Sequence, residues 1–308
     1  MKKTFAELIA KLKDIPTKTV AVACAQDSAV LEAVKAAKER GIANAILVGD
    51  QEKIKAVADP LGIAVSDYEI IHIADDIEAA RHAVKLIHDG TADMYMKGLI
   101  DTKHFLQSVL DREVGLRTGA ALSHVCVFEI KGIEQLLFLT DVAFIPYPTL
   151  EDKVHMIKNT LVITEACGLV NPKVAPLAAV EVVNPKMPAT VEAAELTRMY
   201  KDGEITGCIV DGPLSFDLAI DPEAALHKGA TDRAIQGDAD ILLFPDIHAG
   251  NLVYKALVHT AQVVNGNILT GTKAPVILTS RSDHFESKVN SIALGAVVAD
   301  AMKNAAMS

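Results

Sequence analysis

The chain has 308 residues, half of them hydrophobic and 23% charged, the make-up of a soluble globular protein able to bury a large core. Its formal net charge of −10 repels other polyanions at long range, which argues against a general affinity for nucleic acid or an anionic membrane. No apolar run approaches the roughly 20 residues that span a bilayer, and the N-terminal MKKTFAELIAKLKDIPTK reads as an amphipathic helix rather than a signal peptide, so a cytoplasmic protein is expected.

Apolar, β-branched runs alternate with helical periodicity from the start: TVAVACA, NAILVGD, YEIIHIA and DMYMKGLI predict four strands of an α/β protein. Between the third and fourth, Ile77, Ala80, Val84 and Ile87 form one apolar stripe that stops at Gly90, and Gly41 closes the helix that opens at Asp27 and Ser28. HVCVFEI, KGIEQ and LLFLTDVA then read as two strands around a short loop, an antiparallel hairpin that makes the sheet mixed. The alternation resumes with KVAPLAAV, TGCIVDG, ADILLFPDI and APVILTS, and a last helix carries Val289, Ile292 and Ala296. A single core is strained at this length, so two domains with a cleft between them are expected. GLRTGAALS and VNGNILTGTKAP are the best places for the chain to cross, giving one domain from residues 1–115 plus 270–308 and a second from 116–269.

The four cysteines form no CxxC pair, and free buried thiols are expected. Ten histidines offer no HxxxH or HExxH spacing, so no metal is expected. Neither GxxxxGK[ST] nor GxGxxG occurs.

Ligands of open α/β sheets bind beyond the carboxyl ends of the strands. There the chain places Lys97, then Asp211, then Asp246 and His248, and finally Ser280, Arg281 and Asp283. A capping or turn role is the favoured reading of Asp211 and Asp246. Ser280 and Arg281 followed by Asp283 and Glu286 combine a hydroxyl, a fixed planar cation and two carboxylates, suited to an oxyanion, although Ser280 or Ser282 could equally cap the last helix. Lys97, Lys103 and Arg117 add positive charge before the hairpin. The residues alone stop at an α/β enzyme for an anionic ligand.

The segments MKGLIDTKHFLQSVLDREVGLRTG, LTDVAFIPYPTLEDK, EVVNPKMPAT, DGPLSFDLAI with the later HKG, GDADILLFPDIHAGNLVYKAL and GTKAPVILTSRSD together resemble the phosphate acetyl/butyryltransferase family, over essentially the whole chain. The resemblance implies a two-domain fold like that of isocitrate and isopropylmalate dehydrogenases, with mixed sheets, an interdomain cleft and a homodimer or larger homo-oligomer. It also implies a reversible reaction, acyl-CoA plus phosphate giving acyl phosphate plus CoA, with coenzyme A as substrate and neither metal nor cofactor. By the family pattern Ser280 donates to the reacting carbonyl oxygen, Arg281 holds phosphate, Lys103 stands in place of a phosphate-binding arginine, and a carboxylate just downstream is the base. The chain departs from the acetyltransferase branch by carrying Ser287 where that branch has its aspartate, and by EVVNPKMPAT, which tilts the acyl group towards butyryl or branched chains. Of the two remaining carboxylates, Glu286 is expected to activate the thiol more than Asp283, which lies where a helix begins. The alternatives are a phosphate acetyltransferase, an acyltransferase using acyl carrier protein, and a metal-dependent NAD dehydrogenase with Asp211, Asp246 and His248 as ligands.

Overall fold

A computed structural model describes residues 4–279, 283 and 285–307. The chain divides into two compact units, a terminal one made of Phe5–Ala120 and the stretch from Asn265 onward, and a central one made of Ala121–Val264. The crossings at 120–121 and 264–265 fall inside GLRTGAALS and VNGNILTGTKAP.

The terminal unit begins with α1 (Phe5–Lys11), β1 (Lys18–Ala23), α2 (Ser28–Glu39), β2 (Ala43–Gly49), α3 (Gln51–Ala58), β3 (Glu69–His72), α4 (Asp76–His88), β4 (Met94–Lys97) and α5 (Thr102–Val109). The central unit holds β5 (Ser123–Ile130), β6 (Leu137–Thr140), α6 (Leu150–Ala166), β7 (Lys173–Pro176), α7 (Pro188–Lys201), β8 (Ile209–Val210), α8 (Phe216–Ile220), α9 (Pro222–His227), β9 (Ile241–Leu243) and α10 (Ile247–Thr260). β10 (Val263–Thr270), β11 (Val276–Ile277) and α11 (Phe285–Met307) return the chain to the terminal unit.

In the terminal unit the strand order is β3-β2-β1-β4-β11-β10. β1 runs parallel to β2 and β4, and β4 parallel to β11, while β10 is antiparallel to β11. Val20 to Ala23 are all buried, as expected of a parallel strand covered on both faces, which is why these strands read as unbroken apolar runs. Each of the first four strands is followed by an aspartate that caps the next helix: Asp27, Asp50, Asp75 and Asp101 accept backbone N–H bonds from the first turns of α2, α3, α4 and α5. Such caps contribute about 1 kcal/mol each and end every strand at a fixed point. The stripe predicted on α4 needs one correction. Ile77 is 53% exposed, and the buried face is Ala79, Ala80, Ala83, Val84 and Ile87. Ile77 lies in the first turn beside Leu99 and His104, beyond the sheet edge.

In the central unit the order is β5-β6-β9-β7-β8. The expected hairpin forms, with Val127 opposite Phe138, and the other pairings are parallel. Its core joins Cys126, Phe128, Leu137, Leu139, Leu242 and Phe244, with the Phe128 ring edge-on to Tyr254 at 5.7 Å. Among the described residues no helix is long and apolar enough to cross a membrane.

Candidate active site

β1, β4 and β11 run the same way, so their carboxyl ends lie together, and antiparallel β10 brings its first residues to the same edge. The joint between β1 and β4 is tight. Gly98 N–H donates to Ala23 O at 2.9 Å and Leu99 N–H to Cys24 O at 2.8 Å. Cys24 takes a left-handed φ of 53° to present that carbonyl. Half-buried Lys97 ends β4, its Nζ 3.4 Å from Gly98 O and its charge felt by the Cys24 thiol.

Beside them lies a buried polar cluster that the hydrophobic pattern of α11 did not signal. Asn265, Asn267, Ser287, Lys288, Asn290 and Ser291 are each less than a tenth exposed. Ser287 Oγ donates to Asn265 Oδ1 at 2.6 Å, Asn267 N–H donates to Ser291 Oγ at 2.8 Å, and Ser291 Oγ donates back to Ser287 O at 2.6 Å. Asn265 Nδ2 is buried with no hydrogen-bond partner among the described residues. The cluster fastens the first turns of α11 to β10. The available signal was polar residues at helix spacing, Ser287 and Ser291 one turn apart, opposite the two asparagines of VVNGNILT.

Asp283, half-buried, stands at the foot of this cluster. Its Oδ2 lies 3.5 Å from Asn267 Nδ2, and its backbone oxygen accepts from Lys288 Nζ at 3.1 Å. Glu286 goes elsewhere. Both its oxygens are taken by the Arg40 guanidinium at 2.8 Å, on an exposed face, and that pairing holds the carboxyl below its ordinary range. It is engaged by α2, and a carboxylate so held accepts a proton less readily than an unpaired one. Ser280, Arg281 and Ser282 lie outside the described residues. Lys103 and Arg117 are exposed, the latter in an isolated bridge with Thr272.

The three other candidates belong to the central unit. Asp211, 9% exposed, pairs with Arg233 at 3.0 Å and accepts the backbone N–H of Ala234 at 2.8 Å and of Ile235 at 3.2 Å. That arrangement fixes a loop. Asp211→Ala is expected to cost about 2 to 3 kcal/mol by stranding Arg233 and two amides. Denaturant unfolding checks the loss, and a kcat in the remaining folded protein within about twofold of wild type distinguishes a structural role from a catalytic one. Asp246 caps α10 by accepting from Ala249 N at 3.0 Å, and exposed His248 shares a 2.8 Å hydrogen bond with Tyr147. EVVNPKMPAT places Glu181 against Ser215 and Lys228, with Val182 and Val183 exposed.

The four cysteines are buried and none is in a disulfide, and burial pushes the Cys24 thiol up to about 12 and that of Cys208 up to about 11. A raised pKa makes Cys24 and Cys208 poor nucleophiles at neutral pH. Among the described residues no group of three or more His, Cys, Asp or Glu could hold a metal ion.

A sequence profile described as phosphate acetyl/butaryl transferase matches residues 4–83 and 75–296. The chain belongs to the phosphate acetyl/butyryltransferase family. Within it, a phosphate butyryltransferase of Clostridium beijerinckii is 56% identical over 299 residues, covering 97% of this chain and 99% of that one. The crystal structure of a branched-chain phosphotransacylase from Enterococcus faecalis matches with a TM-score of 0.81 at 34% identity, over 92% of this chain and 99% of that one. Outside the family, a 4-hydroxythreonine-4-phosphate dehydrogenase from Klebsiella pneumoniae matches with a TM-score of 0.54 at 11% identity, over 92% of this chain and 100% of that one. That likeness is one of fold alone, and it is the dehydrogenase-like α/β fold expected from the sequence.

Proposed function

We propose that the chain transfers a short acyl group, butyryl or branched, reversibly between coenzyme A and inorganic phosphate. The observation that carries this reading is the 56% identity to a phosphate butyryltransferase over nearly the whole of both chains. In the forward direction a phosphate oxygen attacks the thioester carbonyl carbon, the tetrahedral oxyanion collapses, the C–S bond breaks and CoA thiolate leaves. In reverse, a thiol with a pKa of roughly 8.5 must first lose its proton, so a nearby carboxylate raises the reactive fraction at neutral pH. Ser280 donates to the oxyanion, and Arg281 grips phosphate through its planar fork. Lys97, Lys103 and Arg117 supply cations for phosphate and CoA. Asp283 is the proton acceptor, because Glu286 is engaged by Arg40. Asp211 and Asp246 serve the fold, and His248 with Tyr147 remains a surface contact for substrate. The protein works in the cytoplasm as a homodimer or larger homo-oligomer, without a cofactor.

The test is thiol release from acetyl- to hexanoyl-CoA in the presence of phosphate. Butyryl- and branched acyl-CoA are expected to exceed acetyl-CoA in kcat/KM by about tenfold or more, the range a few methylenes supply in an apolar pocket. A preference for acetyl-CoA makes the chain a phosphate acetyltransferase, and no phosphate-dependent release from any thioester overturns the proposal.

A further inference from the structure

A cavity of about 390 Å³ opens at the other edge of the terminal sheet, where β4 and β11 begin. That is the size of a small-ligand site and far beyond an ordinary packing void. Asp93 and Pro275, the residues before those two strands, line it together with the end of α4 and the second half of α11. Most of the wall is apolar, from Ile87, Ala92, Leu116, Pro275, Ala299 and Met302. Gly90, which also lines the cavity, has nothing within 4 Å of where a Cβ would stand.

The rim is basic, although the chain as a whole carries −10. Asp93 is the one carboxylate among the described lining residues, and both its oxygens are engaged: Oδ2 accepts Thr19 N–H at 2.8 Å, and Oδ1 pairs with Lys303. Asp89, next to the rim, is taken by Lys85. Exposed Lys273 has no carboxylate partner among the described residues, and its backbone is fixed by an N–H bond to Leu116 O at 2.9 Å. An unmatched ammonium above apolar walls suits a ligand with a hydrocarbon body and one anionic head. The cleft beside Ile77 and Leu99 is the opposite case, because Asp75, Asp76 and Asp101 line it and would repel such a head.

We propose that the cavity between α4, β4 and α11 binds a short- or medium-chain carboxylate, with its alkyl chain against Ile87, Leu116 and Met302 and its head at Lys273 and Lys303. A carboxylate of this kind is what an acyl phosphate leaves, together with inorganic phosphate, when water cleaves it. The ligand is therefore at hand wherever the exchange proposed above runs, but the site rests on its own lining and not on that reading.

Isothermal titration of the full chain with sodium butyrate, hexanoate and octanoate at constant ionic strength is the test. One site per chain is expected, with Kd falling about two- to fourfold for each added methylene. 1-Hexanol, which keeps the hydrocarbon body and lacks the charge, is expected to bind at least about threefold more weakly than hexanoate. Lys273→Met removes the charge and keeps an apolar stem, and should raise the Kd for hexanoate about threefold or more. Ala306→Trp puts a ring into the cavity from an exposed position on α11, and should raise it about tenfold or more. Should one of these variants fail to fold, the other decides.

Unchanged affinity in the variants, or competitive displacement of hexanoate by coenzyme A, places the ligand elsewhere and overturns the proposal. So does an affinity that ignores chain length, or no binding up to about 10 mM. If wild type binds no hexanoate and Ala306→Trp changes the oligomeric state in sedimentation, the cavity is a contact between copies of the chain and the proposal fails. Failure of the thiol-release assay leaves a positive binding result standing.

Discussion

Replacing Arg281 by lysine is expected to leave a folded protein whose kcat/KM for phosphate falls by about ten- to a hundredfold, or roughly 1.4 to 2.7 kcal/mol of transition-state stabilisation. The substitution keeps the unit charge, so long-range attraction of phosphate against the net charge of −10 is unchanged. On the role proposed for Arg281, what is lost is the planar fork that would grip two phosphate oxygens at once and so fix the attacking oxygen in direction as well as distance. An ammonium can rotate and hold one oxygen, which preserves encounter and spoils aim. Initial rates with phosphate as the varied substrate, beside a thermal melt matching wild type, provide the measurement. Unchanged kinetics in a folded Arg281→Lys protein remove Arg281 from the phosphate site.

Gly98→Ala is expected to destabilise the terminal unit by about 3 kcal/mol or more. A Cβ at Gly98 would lie 2.3 Å from Cys24 O and 2.6 Å from Ala23 O, both of them backbone atoms that cannot swing aside. These carbonyls already accept the N–H groups of Leu99 and Gly98, so relief requires parting β1 from β4 where Lys97 emerges. The constraint is space. Gly90 offers the contrast, since its φ of 77° is left-handed and nothing lies within 4 Å of its absent Cβ. Gly90→Ala should therefore cost only about 1 kcal/mol, the conformational penalty alone. Urea midpoints of the two variants test the difference, and equal losses in both would show that β1 and β4 can separate cheaply.

The parallel strands of the terminal unit were legible because burial on both faces writes a continuous apolar run, as in β1, β2 and β4. One helix start was legible too, at Asp27 and Ser28, whereas Asp211, which also follows a strand, fixes a loop instead. Strand length was not: TGCIVDG and APVILTS pair over only Ile209–Val210 and Val276–Ile277, because pairing depends on how far a neighbour extends. Buried polar groups escaped for a related reason. A periodicity of apolar residues finds Val289, Ile292 and Ala296 on α11 but passes over Ser287, Lys288, Asn290 and Ser291, which are equally buried and matched by partners from β10 or the chain before the helix. Glu286 is paired with Arg40, 246 positions away in sequence, a partner no local spacing can reveal.

The strand between β4 and β10 and the helix against α2 are both made from residues that follow the whole central unit, and this sets an order of assembly. A ribosome that has translated only as far as residue 264 has supplied every residue of Ala121–Val264, but has left β4 as an open edge and Lys18 without its partner Asp300. The N-terminal third of the chain must therefore wait, with its sheet unfinished, until β11 and α11 have been made. Premature termination should expose a sticky β-edge, and a nascent chain of this kind is one that a chaperone has reason to hold.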